Sequence, residues 1–117
     1  MNIEELRDYC LAKKGISEGF PFDDKTLVFK VMGKMFALTS IEGPFRINLK
    51  CDPEKAIGLR AEYPAVTPGY HMSKVHWNTV EMDGSVSDDL VREWVDDSYN
   101  LIAASLKKAD REALKNL

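Results

Sequence analysis

His71 and His76 are the side chains whose charge can change near neutral pH, so a proton shuttle or metal site in this chain has to start from them. They lie five residues apart, which is not the i, i+4 spacing of a helical zinc pair, and a further ligand would have to come from elsewhere in the chain. Alternation along 76–80 predicts instead that His76 points inward with Asn78 and Val80, as a partly buried histidine bracing a turn. Nucleophilic chemistry has little to build on. Cys10 falls on the apolar side of a predicted helix, where a thiol behaves as a small hydrophobe. Cys51 precedes the helix start Asp52-Pro53, a position that can lower a thiol pKa, but no surrounding pattern marks it as reactive. Ser73 is too close to His71 for a triad, and no G-x-S-x-G elbow or glycine-rich phosphate loop occurs. The acidic pair Asp96-Asp97 reads as a solvated helix face, and no metal or cofactor is expected.

What remains is a set of cations interleaved with aromatics: Lys30, Lys34, Arg46, Lys50 and Lys74, with His71 and Trp77. Lysine and arginine pair with phosphate, and aromatic rings stack on bases, so this combination is the pattern of a nucleic-acid surface. The whole chain carries a net charge of −3, but the charge is uneven: residues 1–26 sum to −2, residues 27–80 to +3 and residues 81–117 to −4. Only the middle of the chain would attract a polyanion.

The elements that position these side chains follow from periodicity and capping. At 117 residues and 44% hydrophobic, the chain suits one domain with one core, residues 1–117. Asn2 and Glu5 form a capping pattern for a first helix ending near Gly15, and a loop is expected through Gly19 and Pro21. Two β-rich runs, Thr26–Met32 and Met35–Ser40, flank Gly33-Lys34, read as a type II′ turn. That turn pairs Val31 with Phe36, Phe29 with Leu38 and Leu27 with Ser40 on a core face, leaving Lys30, Ala37, Val28 and Thr39 on the other. Phe45, Ile47 and Leu49 of a third strand point in, while Arg46, Asn48 and Lys50 point out, toward the side where Trp77 and Thr79 also project. A second helix starts at Asp52-Pro53, strands follow at 66–67 and 76–82, and Ser87 caps a long final helix with Lys107-Lys108 near its far end. The predicted order is α-β-β-β-α-β-β-α. It gives an α+β two-layer sandwich, a largely antiparallel five-stranded sheet with helices on one face.

The segment Pro68-Gly69-Tyr70-His71-Met72-Ser73-Lys74-Val75-His76-Trp77, read with the hairpin at 27–38 and with 47–54, closely resembles the MmcQ/YjbR family of small bacterial proteins. The resemblance implies a fold similar to that of secretion chaperones and the CyaY-like proteins, two hairpin-like projections described as a double wing, and DNA as partner with no catalytic reaction. The hairpin at Gly33-Lys34 and the turn at Pro68–Lys74 are the candidate projections. The family turn commonly reads Asn where this chain has Ser73, and Lys or Arg where it has Val75, so one cation is missing. DNA binding is therefore expected to be weak and salt-sensitive. The alternative is a protein-binding module that uses the open sheet face; an enzyme or small-ligand binder centred on His71, His76 and Tyr70 has the least support. The absence of a leader-like or membrane-spanning stretch, with two unpaired cysteines, predicts a cytoplasmic protein, and a monomer is expected because no extra apolar stripe is left over after the core is assigned.

Overall fold

In the computed structural model, which describes residues 1–117, Asn2 caps helix α1 (Ile3–Leu11) through a reciprocal box: its side chain accepts from Glu5 N–H at 2.8 Å, and the Glu5 carboxylate accepts from Asn2 N–H at 3.1 Å. Where the sequence predicts loop, the chain forms an edge strand, β1 (Ile16–Gly19). Nothing in four residues bounded by glycines signals a strand; β1 exists because β2 (Thr26–Val31) supplies the ladder and Arg7 of α1 holds Glu18 by a forked ion pair. With β3 (Lys34–Ser40), β4 (Arg46–Lys50), β5 (Val66–Pro68) and β6 (Trp77–Glu81), the sheet has six strands rather than five, in the order β1-β2-β3-β4-β6-β5, antiparallel throughout.

The hairpin differs from the expected one by a residue at its turn. Met32 and Gly33, at φ 48° and 87°, are the central pair, with Val31 opposite Lys34. Two positive φ angles make this a type I′ turn, not the type II′ turn at Gly33-Lys34. Methionine tolerates the left-handed position because its backbone donates to Gly15 C=O at 2.9 Å and its side chain packs on the core. The register then shifts between Phe29 and Lys30, with Phe29 opposite Ala37 and Lys30 opposite Met35, so Phe36 is an extra, bulged residue. Ala37 and Thr39 accordingly face the helices, and Leu38 joins Val28 on the outward face, reversing the expected assignment of those positions.

Helix α2 (Pro53–Glu62) begins as predicted, with Asp52 accepting from Lys55 N–H. Helix α3 (Asp88–Ala104) is capped by Ser87 and buries Val91, Trp94, Val95, Ser98 and Ile102 against the sheet. The chain then breaks at Ser105, and a fourth helix, α4 (Lys108–Lys115), replaces the expected extension of α3. Its Leu114 closes over the α1–β1 turn: a Cβ on Gly15 would meet Leu114 Cδ1 at 2.7 Å. All helices pack on one side of the sheet, around Phe29, Phe36, Ile47 and Leu6. Asp96 and Asp97 are not idle solvated charges there. Asp96 accepts from Lys13 and from Tyr9 of α1, and Asp97 pairs with Lys55 of α2 at 2.6 Å, so the two carboxylates tie α3 to its neighbours. No helix is long and apolar enough to cross a membrane.

Candidate functional site

Strand β4 alternates because Ile47 and Leu49 are fully buried beneath the helices, which forces Arg46, Asn48 and Lys50 to the opposite face. Cross-strand pairing extends that face sideways. Lys30 lies beside Met35, Lys50 beside Trp77, Asn48 beside Thr79 and Arg46 beside Glu81. Arg46 Nε approaches Glu81 Oε1 to 3.2 Å as an ion pair without the alignment of a hydrogen bond, so the Arg46 charge is largely matched. Lys30 and Lys50 enter no ion pair. Two strand spacings separate them, on the order of 10 Å.

The end of the sheet that carries Lys30 and Lys50 is also where the β2–β3 turn and the loop Gly69–His76 leave it, on either side of the end of β4. That loop is pinned to the outward face. Tyr70 N–H donates to Thr79 Oγ1 at 2.9 Å, the Thr79 hydroxyl donates to Asn48 Oδ1, and Asn48 Nδ2 reaches Tyr70 C=O at 3.5 Å. Trp77 forms a small second apolar cluster with Val28 and Leu38, against which Met35 and the loop residue Met72 pack. Trp77 does project outward as predicted, but it is only 8% exposed and has no free face for a base. The close fit explains Gly69, where a Cβ would lie 2.8 Å from Trp77 Cβ and 3.0 Å from its carbonyl oxygen.

A second anchor comes from the helix layer. Arg60 of α2 donates from Nε to Asn78 Oδ1 at 2.6 Å, and from Nη2 to Trp77 C=O at 3.3 Å and to Lys74 C=O. Asn78, 3% exposed, completes the link through Nδ2 to Ala56 C=O. Neither residue stands out in the sequence: an arginine on a short helix looks like any solvated charge, and an asparagine in a strand looks like a surface position.

The predicted site residues are thus divided. Lys30, Arg46 and Lys50 share the outward face. Lys74 is exposed in the loop, its ammonium donating to Gly69 C=O at 3.1 Å. Lys34 pairs with inward-facing Val31 and reaches Ser105 C=O at 3.4 Å at the end of α3, on the helix side, so it does not join the others. His71, with φ 57°, is exposed and lies against Tyr70, ring centroids 4.0 Å apart. His76 is exposed rather than partly buried: β6 begins one residue later, so the strand alternation does not reach it, and it contributes only its carbonyl, to Cys51 N–H. No three His, Cys, Asp or Glu side chains come together as a metal cluster.

On the helix side, an open groove of about 350 Å³ is lined by Cys51, Asp52, Lys55, Asp97 and the exposed flank of α3. Burial raises the Cys51 thiol pKa despite the opposing charge of Lys55, which makes it a poor nucleophile at neutral pH. Cys10 is pushed up to about 12 by burial, with Lys13 working against the shift.

An antiparallel sheet backed on one face by helices, with a turn and a pinned, histidine-bearing loop leaving the same end, defines a small α+β class of protein. Residues 11–101 match the YjbR family, and the chain belongs to that family. It is 36% identical to YjbR of Escherichia coli K12 over the full length of both chains, and 40% identical to YbdF of Escherichia coli O157:H7 over 82% of this chain and 80% of that one. The crystal structure of Deinococcus radiodurans DR2400, described as a DUF419 domain, superposes with a TM-score of 0.90 at 43% identity, covering 97% of this chain and 88% of that one. A Pseudomonas syringae protein matches with a TM-score of 0.74 at 29% identity, covering 86% and 98%.

Proposed function

We propose that this protein is a non-enzymatic DNA-binding protein that holds the phosphate backbone against the outward face of its sheet, at the end bearing the Gly69–His76 loop. The observation that supports it is the partition of charge. Outward strand positions carry Lys30, Arg46 and Lys50 against a single carboxylate, Glu81, and the Arg46–Glu81 pair leaves Lys30 and Lys50 free for phosphate. Lys74, whose ammonium is held by the Gly69 carbonyl and enters no ion pair, adds a third cation from the loop, and Tyr70 with His71, not Trp77, supplies the accessible rings. Of the two projections of a double wing, the loop carries the contacts and the Met32-Gly33 turn adds only shape, because Lys34 points to the helix side. Three cations give weak, strongly salt-dependent binding. Two free, buried thiols suit the reducing cytoplasm, and the protein acts as a monomer without metal or cofactor.

Fluorescence anisotropy of labelled DNA at low and near-physiological salt tests this. The Lys30→Glu/Lys50→Glu variant loses binding while melting like the parent, and Lys34→Glu changes it little. Affinity retained in the double variant overturns the proposal. A protein-docking role for the same face has less to rest on, because its apolar residues Val28, Leu38 and Trp77 are already covered.

A further inference from the structure

Resting on that reading, we infer that the ligand of this face is single-stranded DNA, with an unpaired base stacked on Tyr70. Tyr70 is 60% exposed, yet its backbone is fixed on both sides, N–H to Thr79 and C=O to Asn48. A large ring held out in water on an immobilised backbone loses little further freedom when a planar partner covers it. Its anchor, Asn48, is the middle residue of the outward stripe of β4, with Arg46 and Lys50 two residues away on either side, about 7 Å along the strand. Lys50, which enters no ion pair, thus lies on the same stripe two residues from the side chain that holds the Tyr70 backbone, so one strand can engage a phosphate at the lysine and a base at the ring.

A duplex would make poor use of this arrangement. Paired bases hide their faces inside the stack, so an aromatic at the surface meets only sugar and phosphate. Groove reading needs an element that enters the groove with side chains for the base edges; every helix lies on the far side of the sheet, and the β2–β3 hairpin at this end turns its Lys34 to that side too. Duplex affinity also grows with the number of phosphates neutralised, and this face offers few cations. Stacking adds affinity that charge alone cannot supply here, and it works with any base.

The test compares a short labelled oligothymidylate with a duplex of equal length at low salt, using the parent protein, Tyr70→Ala, Tyr70→Phe and Lys30→Glu/Lys50→Glu. The single strand is expected to bind more tightly. Tyr70→Ala weakens single-strand binding about ten-fold and leaves duplex binding unchanged, and Tyr70→Phe restores the loss. The lysine double variant loses both ligands. Equal or tighter binding of duplex, or indifference to Tyr70→Ala, overturns the inference while leaving the DNA-binding proposal standing. Failure of the parent to bind either ligand overturns both.

Discussion

Removing the Arg60 guanidinium should release the Gly69–His76 loop while leaving the sheet intact. Arg60 makes three hydrogen bonds, to Asn78 Oδ1 at 2.6 Å, to Trp77 C=O at 3.3 Å and to Lys74 C=O. A hydrogen bond from a charged donor contributes about 1.5–3 kcal/mol where it is sheltered from water, and Arg60 is half-buried. The Lys74 carbonyl can turn to solvent once the guanidinium is gone. Asn78 Oδ1 cannot, because the residue is 3% exposed, so its desolvation stays uncompensated at a cost of about 1–2 kcal/mol. Arg60→Ala is therefore expected to destabilise the native state by about 2 kcal/mol, lowering global stability by that amount and the local opening free energy of the loop by up to the same amount. Hydrogen exchange with mass spectrometry reads the second quantity directly: amides of 70–76 should exchange up to about 30-fold faster, and those of β2 and β3 should change only with global stability. Trp77 emission should shift to the red as Met72 lifts away. Arg60→Lys should behave almost like Arg60→Ala, since one ammonium cannot span three acceptors in a planar fork. Unchanged protection of 70–76 in a variant with native circular dichroism would refute the clamp.

Ser98 is fully buried, donates to Phe36 C=O at 2.6 Å and accepts from Lys50 N–H at 2.9 Å, so Ser98→Ala leaves two buried backbone groups without this partner; a loss of about 2–3 kcal/mol is expected in urea unfolding, and a loss under about 0.5 kcal/mol would exclude that role. Burial disfavours the Asp96 carboxylate, but the hydrogen bonds from Lys13 and Tyr9 and the Lys13 charge outweigh it and hold its pKa below the ordinary value. A depressed folded pKa means that the contribution is present above the unfolded value and lost as pH falls through the folded one. The melting temperatures of parent and Asp96→Asn should therefore differ near neutral pH and converge below about pH 4.

The parts of this fold that could be read from the sequence are those whose cause is local. Asn2 and Glu5 cap α1, Asp52-Pro53 starts α2, and the alternation of β4 assigns Arg46, Asn48 and Lys50 to one face, because each signal lies within a few residues of its effect. The unread parts depend on partners distant in the chain. β1 is a strand because β2 needs a neighbour, and α4 turns back because Leu114 has the α1–β1 turn to cover. Met32 accepts a positive φ because Gly15 receives its N–H. At the site the same division holds: the side on which Trp77 projects is a matter of alternation, whereas its burial depends on the cluster it forms with Val28 and Leu38 under Met35 and Met72, and the pinning of its loop depends on Arg60 from a helix beneath the sheet.

The bulge at Phe36 connects this architecture to the candidate surface. A regular ladder running from the Met32-Gly33 turn would pair Lys30 with Met35, Phe29 with Phe36 and Val28 with Ala37, putting Ala37 on the outward face. Because Ala37 is paired with Leu49, the side chains of β4 would then be inverted, with Leu49 in water and Lys50 under the helices. The extra residue removes that conflict: Phe36 and Ala37 both face the helices, and Lys30 and Lys50 emerge on the same side. The bulge is held where it is by contacts from α3. Tyr99 packs edge-on against the Phe36 ring, centroids 5.4 Å apart, and Ser98 takes the Phe36 carbonyl while fixing the amide of Lys50. One turn of α3 thus sets both the register of the hairpin and the position of the cation two strands away. An acidic chain can in this way present a cationic sheet face: Glu18, Asp96 and Asp97 are ion-paired with cations on the helix side, and the bulge keeps Lys30 and Lys50 together on the other.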